Sequence, residues 1–196
     1  IHMPLPKVNL NPPFDILRIS HTKFYVKDLE KSRIFYEEIL GLQVTAKTKT
    51  QIYFRGMEER THHCLILEEG NFPEVGSLSF RLKSEDELAK ASSYFGDLNF
   101  QCDWVERPFQ GKTLRTIDSH GMPLEFFFNI ERLSTIHQKY FLYKGVKPLR
   151  VDHFNVFSPN VDESVSFYNE IGFRTTEYTE DSKTKNLWAA WMHRKG

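Results

Sequence analysis

The sequence predicts an α+β protein built of tandem βαβββ modules, two complete and one incomplete. Three observations carry this. The first is an internal repeat: Leu17-Arg18-Ile19-Ser20-His21, then Ser32 and Phe35-Tyr36-Glu37-Glu38, returns as Leu149-Arg150-Val151-Asp152-His153, then Ser164 and Phe167-Tyr168-Asn169-Glu170. His21 and His153 are 132 residues apart, and Gly41-Leu42 returns as Gly172-Phe173 one residue early. Self-similarity at a constant offset marks a duplicated supersecondary unit. The second observation is the alternation of helical and strand periodicity in the order β-α-β-β-β. The third is punctuation, with capping residues and glycines at the joins.

The elements follow in order. Thr22 to Val26 reads as a strand. Asp28 is an N-cap, Leu29, Ile34, Phe35, Ile39 and Leu40 recur at helical spacing, and Gly41 ends the helix. Leu42 to Ala46, Gln51 to Arg55 and His62 to Leu67 are short strands closing module one, residues 15–69. Module two, residues 76–129, has a strand at Leu78 to Leu82 and a helix from Ser84 to Phe95. Ser84 with Glu87 three residues on is a capping-box pattern. Phe100 to Trp104, Lys112 to Ile117 and Pro123 to Phe128 supply its remaining strands, with Gly121 in the turn before the last. Ile130 to Tyr140 reads as a connecting helix, and Gly145 and Pro148 mark a linker, so residues 130–148 join two parts. The third module, 149–196, has a strand at Val151 to Phe157, a helix at Val161 to Glu170 and strands at Phe173 to Tyr178 and Leu187 to Met192; its last strand is missing. Residues 1–14 read as an extended, poorly ordered arm because of Pro4, Pro6, Pro12 and Pro13, and Ile1-His2-Met3 resembles a cloning remnant.

Composition narrows the function classes. The 196 residues carry a formal net charge of zero with Lys and Arg dispersed, so neither nucleic acid nor a membrane surface is an expected partner. No apolar run is long enough to span a bilayer and no signal-peptide core opens the chain, so a cytoplasmic location is expected. The two cysteines, Cys64 and Cys102, exclude a disulfide framework and read as small buried hydrophobes. The 17 phenylalanines fit large apolar interiors or aromatic-lined clefts. Adjacent His62 and His63 would point to opposite faces of a strand, which favours a structural role at a strand entrance over joint metal binding. His120 and His137 fall in a turn and the connecting segment, where exposure is expected.

The pattern His-x7-Leu-x2-Ser-x2-Phe-Tyr, followed by Gly-Leu, resembles the vicinal oxygen chelate superfamily. Val151-Asp152-His153-Phe154-Asn155, the run Trp188 to Lys195, and Arg60-Thr61-His62-His63 narrow the likeness to type I extradiol ring-cleaving dioxygenases, nearest to those acting on 3,4-dihydroxyphenylacetate (homoprotocatechuate). The resemblance spans roughly Phe14 to Lys195.

It implies four modules. The first two, residues 15–129, would form a non-catalytic N-terminal domain, and the third and fourth would hold the metal. Fe(II) is the implied cofactor, with Mn(II) fitting the same ligands. His153 falls on the first ligand position, and a second His, a Glu and an acid–base His would lie beyond Gly196. Two imidazoles and a carboxylate on one face leave adjacent metal positions open for a chelating catechol and for O2. The 196 residues alone would then be inactive. Asn155, two residues along a strand and on the same face as His153, would hydrogen-bond substrate or oxygen, and Trp191 would wall the pocket. Each has a plainer reading: a core histidine, a hydrated strand residue, a core tryptophan. In the N-terminal half, His21 is the repeat partner of His153 and Glu125 holds the carboxylate position, while the ligand position between them falls near Ser77, a poor metal donor; a decayed site is expected there. The resemblance also implies a homotetramer. Two alternatives stand beside it: a non-catalytic aromatic-binding module of the same fold, and a catechol 2,3-dioxygenase with another substrate.

Overall fold

A computed structural model describes residues 5–194, so Ile1-His2-Met3, read above as resembling a cloning remnant, lie outside the described part. Module one comprises β1 (Ile16–Val26), α1 (Leu29–Ile34), β2 (Gln43–Lys47), β3 (Gln51–Arg55) and β4 (Leu65–Glu69). Asp28 caps α1 by accepting from the Lys31 amide. The helix then widens into a π-type turn over Phe35–Ile39, where the Leu40 amide reaches back to the Phe35 carbonyl, and Gly41 leaves it at φ +88°. Module two comprises β5 (Glu74–Leu82), α2 (Asp86–Asp97), β6 (Asp103–Arg107), β7 (Gly111–Ile117) and β8 (Pro123–Phe127). Module three shows α3 (Val161–Glu170), β9 (Arg174–Glu180) and β10 (Leu187–His193).

The first eight strands form one sheet in the order β2-β3-β4-β1-β5-β8-β7-β6. In both complete modules the fourth strand returns parallel to the first, β4 beside β1 and β8 beside β5. The two modules join where β1 and β5 run antiparallel at the centre. One core holds Leu42, Ile52, Phe54 and Leu67 under α1. A larger one joins module two to module three: Phe80, Phe95 and Phe126 meet Ile171 and Phe173, with Phe154, Val156 and Phe167 packed against them.

Four expectations are corrected. Ile130 to Tyr140 is not an α-helix; Arg132 bridges Thr61, the Leu133 amide donates to the Arg60 carbonyl and the His62 amide to that of Glu131, so pairing with the segment before β4 takes up this backbone and only a 3-10 turn forms at Tyr140–Leu142. The second helix starts at Asp86, not Ser84, because the Glu87 carboxylate accepts from the Asp15 amide and Lys90 instead of closing a capping box. The arm is docked over its described part: Phe14 is buried, Asn9 donates to the Glu170 carbonyl and Asn169 donates to the Lys7 carbonyl. Val151 to Phe157 pairs with no strand; in modules one and two that partner is the module's own fourth strand, and none exists for module three among the described residues.

Candidate functional site

Module three carries the residues singled out for metal and substrate. Although Val151 to Phe157 is unpaired, it keeps the alternation of an extended chain. Phe154 and Val156 pack on the core, while His153, Asn155 and Phe157 are exposed. His153 is 78% exposed in its side chain, with Nδ1 3.3 Å from the Asp152 carboxylate. That contact leaves Nε2 directed to other partners. Trp191 stands on β10 opposite Glu177, 55% exposed. No hydrogen bond or ring contact among the described residues links it to His153 or Asn155. Among those residues no three His, Cys, Asp or Glu side chains are grouped to hold a metal ion. The fit to a 2-His-1-carboxylate centre is therefore one donor, His153, and the chain's described residues do not complete it.

The N-terminal cup is built differently. The register sets His21 opposite Ser79 and Ser79 opposite Glu125, one row across three adjacent strands. The position between the two possible ligands is thus Ser79, not Ser77; Ser77 lies opposite Lys23, and a bulge between Ile19 and His21 makes the offset hard to count from sequence. Glu125 is taken by Arg107, whose Nε and Nη2 donate to Oε1 at 3.2 and 2.5 Å. Lys23 Nζ donates to the Tyr25 hydroxyl at 3.1 Å and to Glu68 at 3.2 Å. Sequence reasoning missed Arg107, because only the β6-β7-β8 meander brings it to a residue eighteen positions on. Lys23, Gln51, Tyr53, Arg107, Gln110 and Glu125 enclose a cavity of about 30 Å³. That is room for roughly one water. As these side chains stand, a catechol ring has no space in the cup.

His21, His62 and His63 are all buried beside it. His62 and His63 precede β4 rather than sitting within it, so they do not splay to opposite faces: their Nδ1 atoms are 3.1 Å apart. His62 stacks on Phe109 at 3.8 Å, and the His63 ring meets His21 edge-on at 4.4 Å. His120 is also less exposed than expected, its Nε2 lying 3.2 Å from the Asn160 carbonyl at the start of α3. Burial holds His21 well below the ordinary imidazole range, helped by the charges of His63, Arg107 and Lys23. Burial, with His62 close by, lowers His63 to about 3. Both are neutral in the fold and take protons more readily when unfolded. Their contribution is complete above about pH 6.5 and is lost as pH falls toward the folded values, at about 1.4 kcal/mol per pH unit for each. Urea midpoints are expected to fall steeply between pH 6.5 and 4.5, and His63→Phe is expected to flatten that slope; an unchanged slope contradicts the assignment.

Comparison with known proteins agrees with this architecture. Residues 18–128 match the family described as the glyoxalase/bleomycin resistance protein/dioxygenase superfamily. The solved homoprotocatechuate 2,3-dioxygenase of Brevibacterium fuscum, in its anaerobic complex with 3,4-dihydroxyphenylacetate, is 36% identical with a TM-score of 0.89, covering 98% of this chain and 60% of its own. The Arthrobacter globiformis homoprotocatechuate 2,3-dioxygenase is also 36% identical with a TM-score of 0.89, covering 97% and 59%. A manganese-dependent 2,3-dihydroxybiphenyl 1,2-dioxygenase of Geobacillus genomosp. 3 is 26% identical over 176 residues, 84% of this chain and 56% of that protein. The chain thus spans little more than half the length of these relatives. No helix among the described residues is long and apolar enough to cross a membrane. With its paired βαβββ modules and these neighbours, the chain belongs to the glyoxalase/bleomycin resistance protein/dioxygenase superfamily, on the branch whose named members are extradiol ring-cleaving dioxygenases.

Proposed function

We propose that this chain is part of an extradiol dioxygenase that opens a catechol with a carboxylate side arm, 3,4-dihydroxyphenylacetate, next to its hydroxyl pair. The ring carbon–carbon bond breaks and both atoms of O2 enter the product. What carries the reading is His153: it repeats His21, sits in an Asp-His-Phe-Asn context and faces away from the core. Likeness to homoprotocatechuate dioxygenases over nearly the whole chain supports the substrate. The metal, Fe(II) or Mn(II), would bring catechol and O2 together and pass electrons between them. Asp152 orients the His153 imidazole by accepting at Nδ1, which leaves Nε2 as the donor atom. Asn155, on the same side of the segment, offers its amide to a substrate oxygen, and Trp191 walls the ring. Residues 15–129 form the non-catalytic domain, 130–148 the connection and 149–196 the first module of the catalytic domain; a fourth module supplies the second His and the Glu. The assembly is a homotetramer, located in the cytoplasm.

The test is made in a polypeptide carrying all three ligands, supplied with Fe(II) or Mn(II), O2 and 3,4-dihydroxyphenylacetate. A yellow ring-opened semialdehyde is expected. Because even groups outside the ligand set change metal affinity by 10- to 100-fold, His153→Ala is expected to lower bound metal and turnover by at least about 100-fold. Full turnover in His153→Ala overturns the assignment, and preference for 2,3-dihydroxybiphenyl overturns the substrate.

A further inference from the structure

Two arginines face each other across the central ladder. The β1/β5 register sets Arg18 opposite Arg81, and like charges in direct cross-strand pairing repel. Alternation along β5 puts Ser77, Ser79 and Arg81 on one face, the face that looks into the cup. On β1 the bulge between Ile19 and His21 keeps Arg18 on that same face. Lys23 thus stands at one end of this row and the arginine pair at the other. A third arginine joins them: Arg132, in the segment after β8, bridges Thr61, and its charge acts on Arg81 together with that of Arg18.

Each guanidinium of the facing pair is held by its inner nitrogen. Arg81 Nε donates to the Phe128 carbonyl at 2.9 Å, and the group lies over the Phe128 ring at 5.7 Å. Arg18 Nε donates to the Ile19 carbonyl at 3.0 Å. Their Nη groups make no hydrogen bond among the described residues, and neither does the Arg132 side chain. Among those residues the only carboxylate within 4.0 Å of the three is Glu59, at that distance from Arg18 Nη2. Glu59 is already engaged, its Oε2 by the Gly56 amide at 3.0 Å and its Oε1 by the Val151 amide at 3.4 Å. Three guanidiniums against one carboxylate leave two positive charges without a counter-charge. Burial first, and then the charges of Arg132 and Arg18, hold Arg81 below the ordinary guanidinium value. Arg18 and Arg132 are exposed and Arg81 is half-buried, so the cluster is open to solvent.

We propose that Arg18, Arg81 and Arg132 form a binding site for a phosphate dianion, free or carried as the ester of a small metabolite. Guanidinium forks donate paired hydrogen bonds to oxyanions, and the Nε anchor and the Phe128 ring fix the Arg81 fork before the ligand arrives. Donors converging from β1, from β5 and from the segment after β8 suit a tetrahedral anion with several oxygens better than a single planar carboxylate. The two charges of the anion match the two that the protein leaves uncompensated. The cluster shares no residue with His153, Asn155 or Trp191, so the proposal stands or falls apart from ring cleavage.

Isothermal titration of the 196-residue chain with inorganic phosphate, at about pH 8 and constant ionic strength, reads the site directly. One phosphate is expected to bind per chain. Arg132 makes no side-chain hydrogen bond or ion pair among the described residues, so Arg132→Ala spares the fold; it is expected to weaken binding about 10- to 100-fold. Arg81→Lys keeps the charge but loses the fork, and is expected to weaken binding about tenfold or more. Lys31→Ala removes a positive charge from α1, on the helix-covered side of the sheet, and is expected to leave the affinity unchanged. Glycerol 3-phosphate binding as tightly as phosphate supports a site for an ester, and phosphate binding alone supports one for the free anion. Three results overturn the proposal. They are no saturable binding, binding that Arg132→Ala and Arg81→Lys both leave within about twofold, and succinate bound as tightly as phosphate, since the ligand would then be a dicarboxylate.

Discussion

Arg107→Leu is expected to cost roughly 2–4 kcal/mol of folding stability and to lower Tm by about 6–12 °C. Glu125 sits on β8, an interior strand of the sheet, 5% exposed in its side chain, and its Oε1 takes two donors from Arg107. No other hydrogen bond to this carboxylate exists among the described residues. Leucine fills part of the space but leaves a buried carboxylate without a counter-charge, and breaking a buried pair from one side is far costlier than removing both partners. Partial exposure of the guanidinium, 27%, keeps the cost at the lower end of what buried pairs show. Arg107→Leu combined with Glu125→Leu is accordingly expected to recover more than half of the loss. Urea unfolding of the four proteins in the cycle measures the coupling directly. A single variant within 0.5 kcal/mol of the parent means that Glu125 finds solvent or another donor, and the cup is looser than the structure shows.

That ion pair also shows where the sequence stops being readable. Faces and element types were legible because they are local: Gln51–Arg55 and Val161–Glu170 fall where period and capping put them, and Asp28 caps its helix as its type suggests. The repeat located His153 by counting alone, and alternation placed Asn155 beside it and Phe154 behind. What could not be read depends on partners distant in sequence. Ser79 rather than Ser77 completes the row with His21 and Glu125 because of irregularities in the β1/β5 ladder, and a shift of two residues leaves the hydrophobic pattern unchanged. Ser84 closes no capping box because the Asp15 amide, some seventy residues earlier, claims Glu87. The prolines of that arm favour extension, and extension here serves docking against α3 rather than disorder. His62 and His63 share a cluster because the chain bends before β4, which no strand period encodes.

Gly145→Ala is expected to lower stability by roughly 3–5 kcal/mol, because the new methyl group conflicts with the backbone twice over. Gly145 lies at φ +48°, where an L side chain is strained, and a Cβ there would sit 2.0 Å from the Ile39 carbonyl oxygen. A backbone carbonyl cannot swing aside as a side chain would, so the linker must lift. Lifting it breaks the bonds from the Val146 and Lys147 amides to Ile39 and Leu40, and strains the contacts of Lys144 with Glu37 and Glu38. The same stretch continues through Pro148 and Leu149, which accept from Met57 and Glu58, to Val151, whose amide reaches Glu59 at 3.4 Å. His153 is two residues further on, so the linker that holds modules one and three together also sets where His153 stands. Gly96→Ala is the control: it lies inside α2 with nothing within 4 Å of the added carbon, and is expected to be neutral or to stabilise by about 0.5–1 kcal/mol. Hydrogen exchange separates the two ways Gly145→Ala can act. Fast exchange at Val146 and Lys147 means that the linker has detached and carried His153 with it. Protection kept at both amides, with stability lost, means that the helix end has yielded instead and that His153 keeps its place.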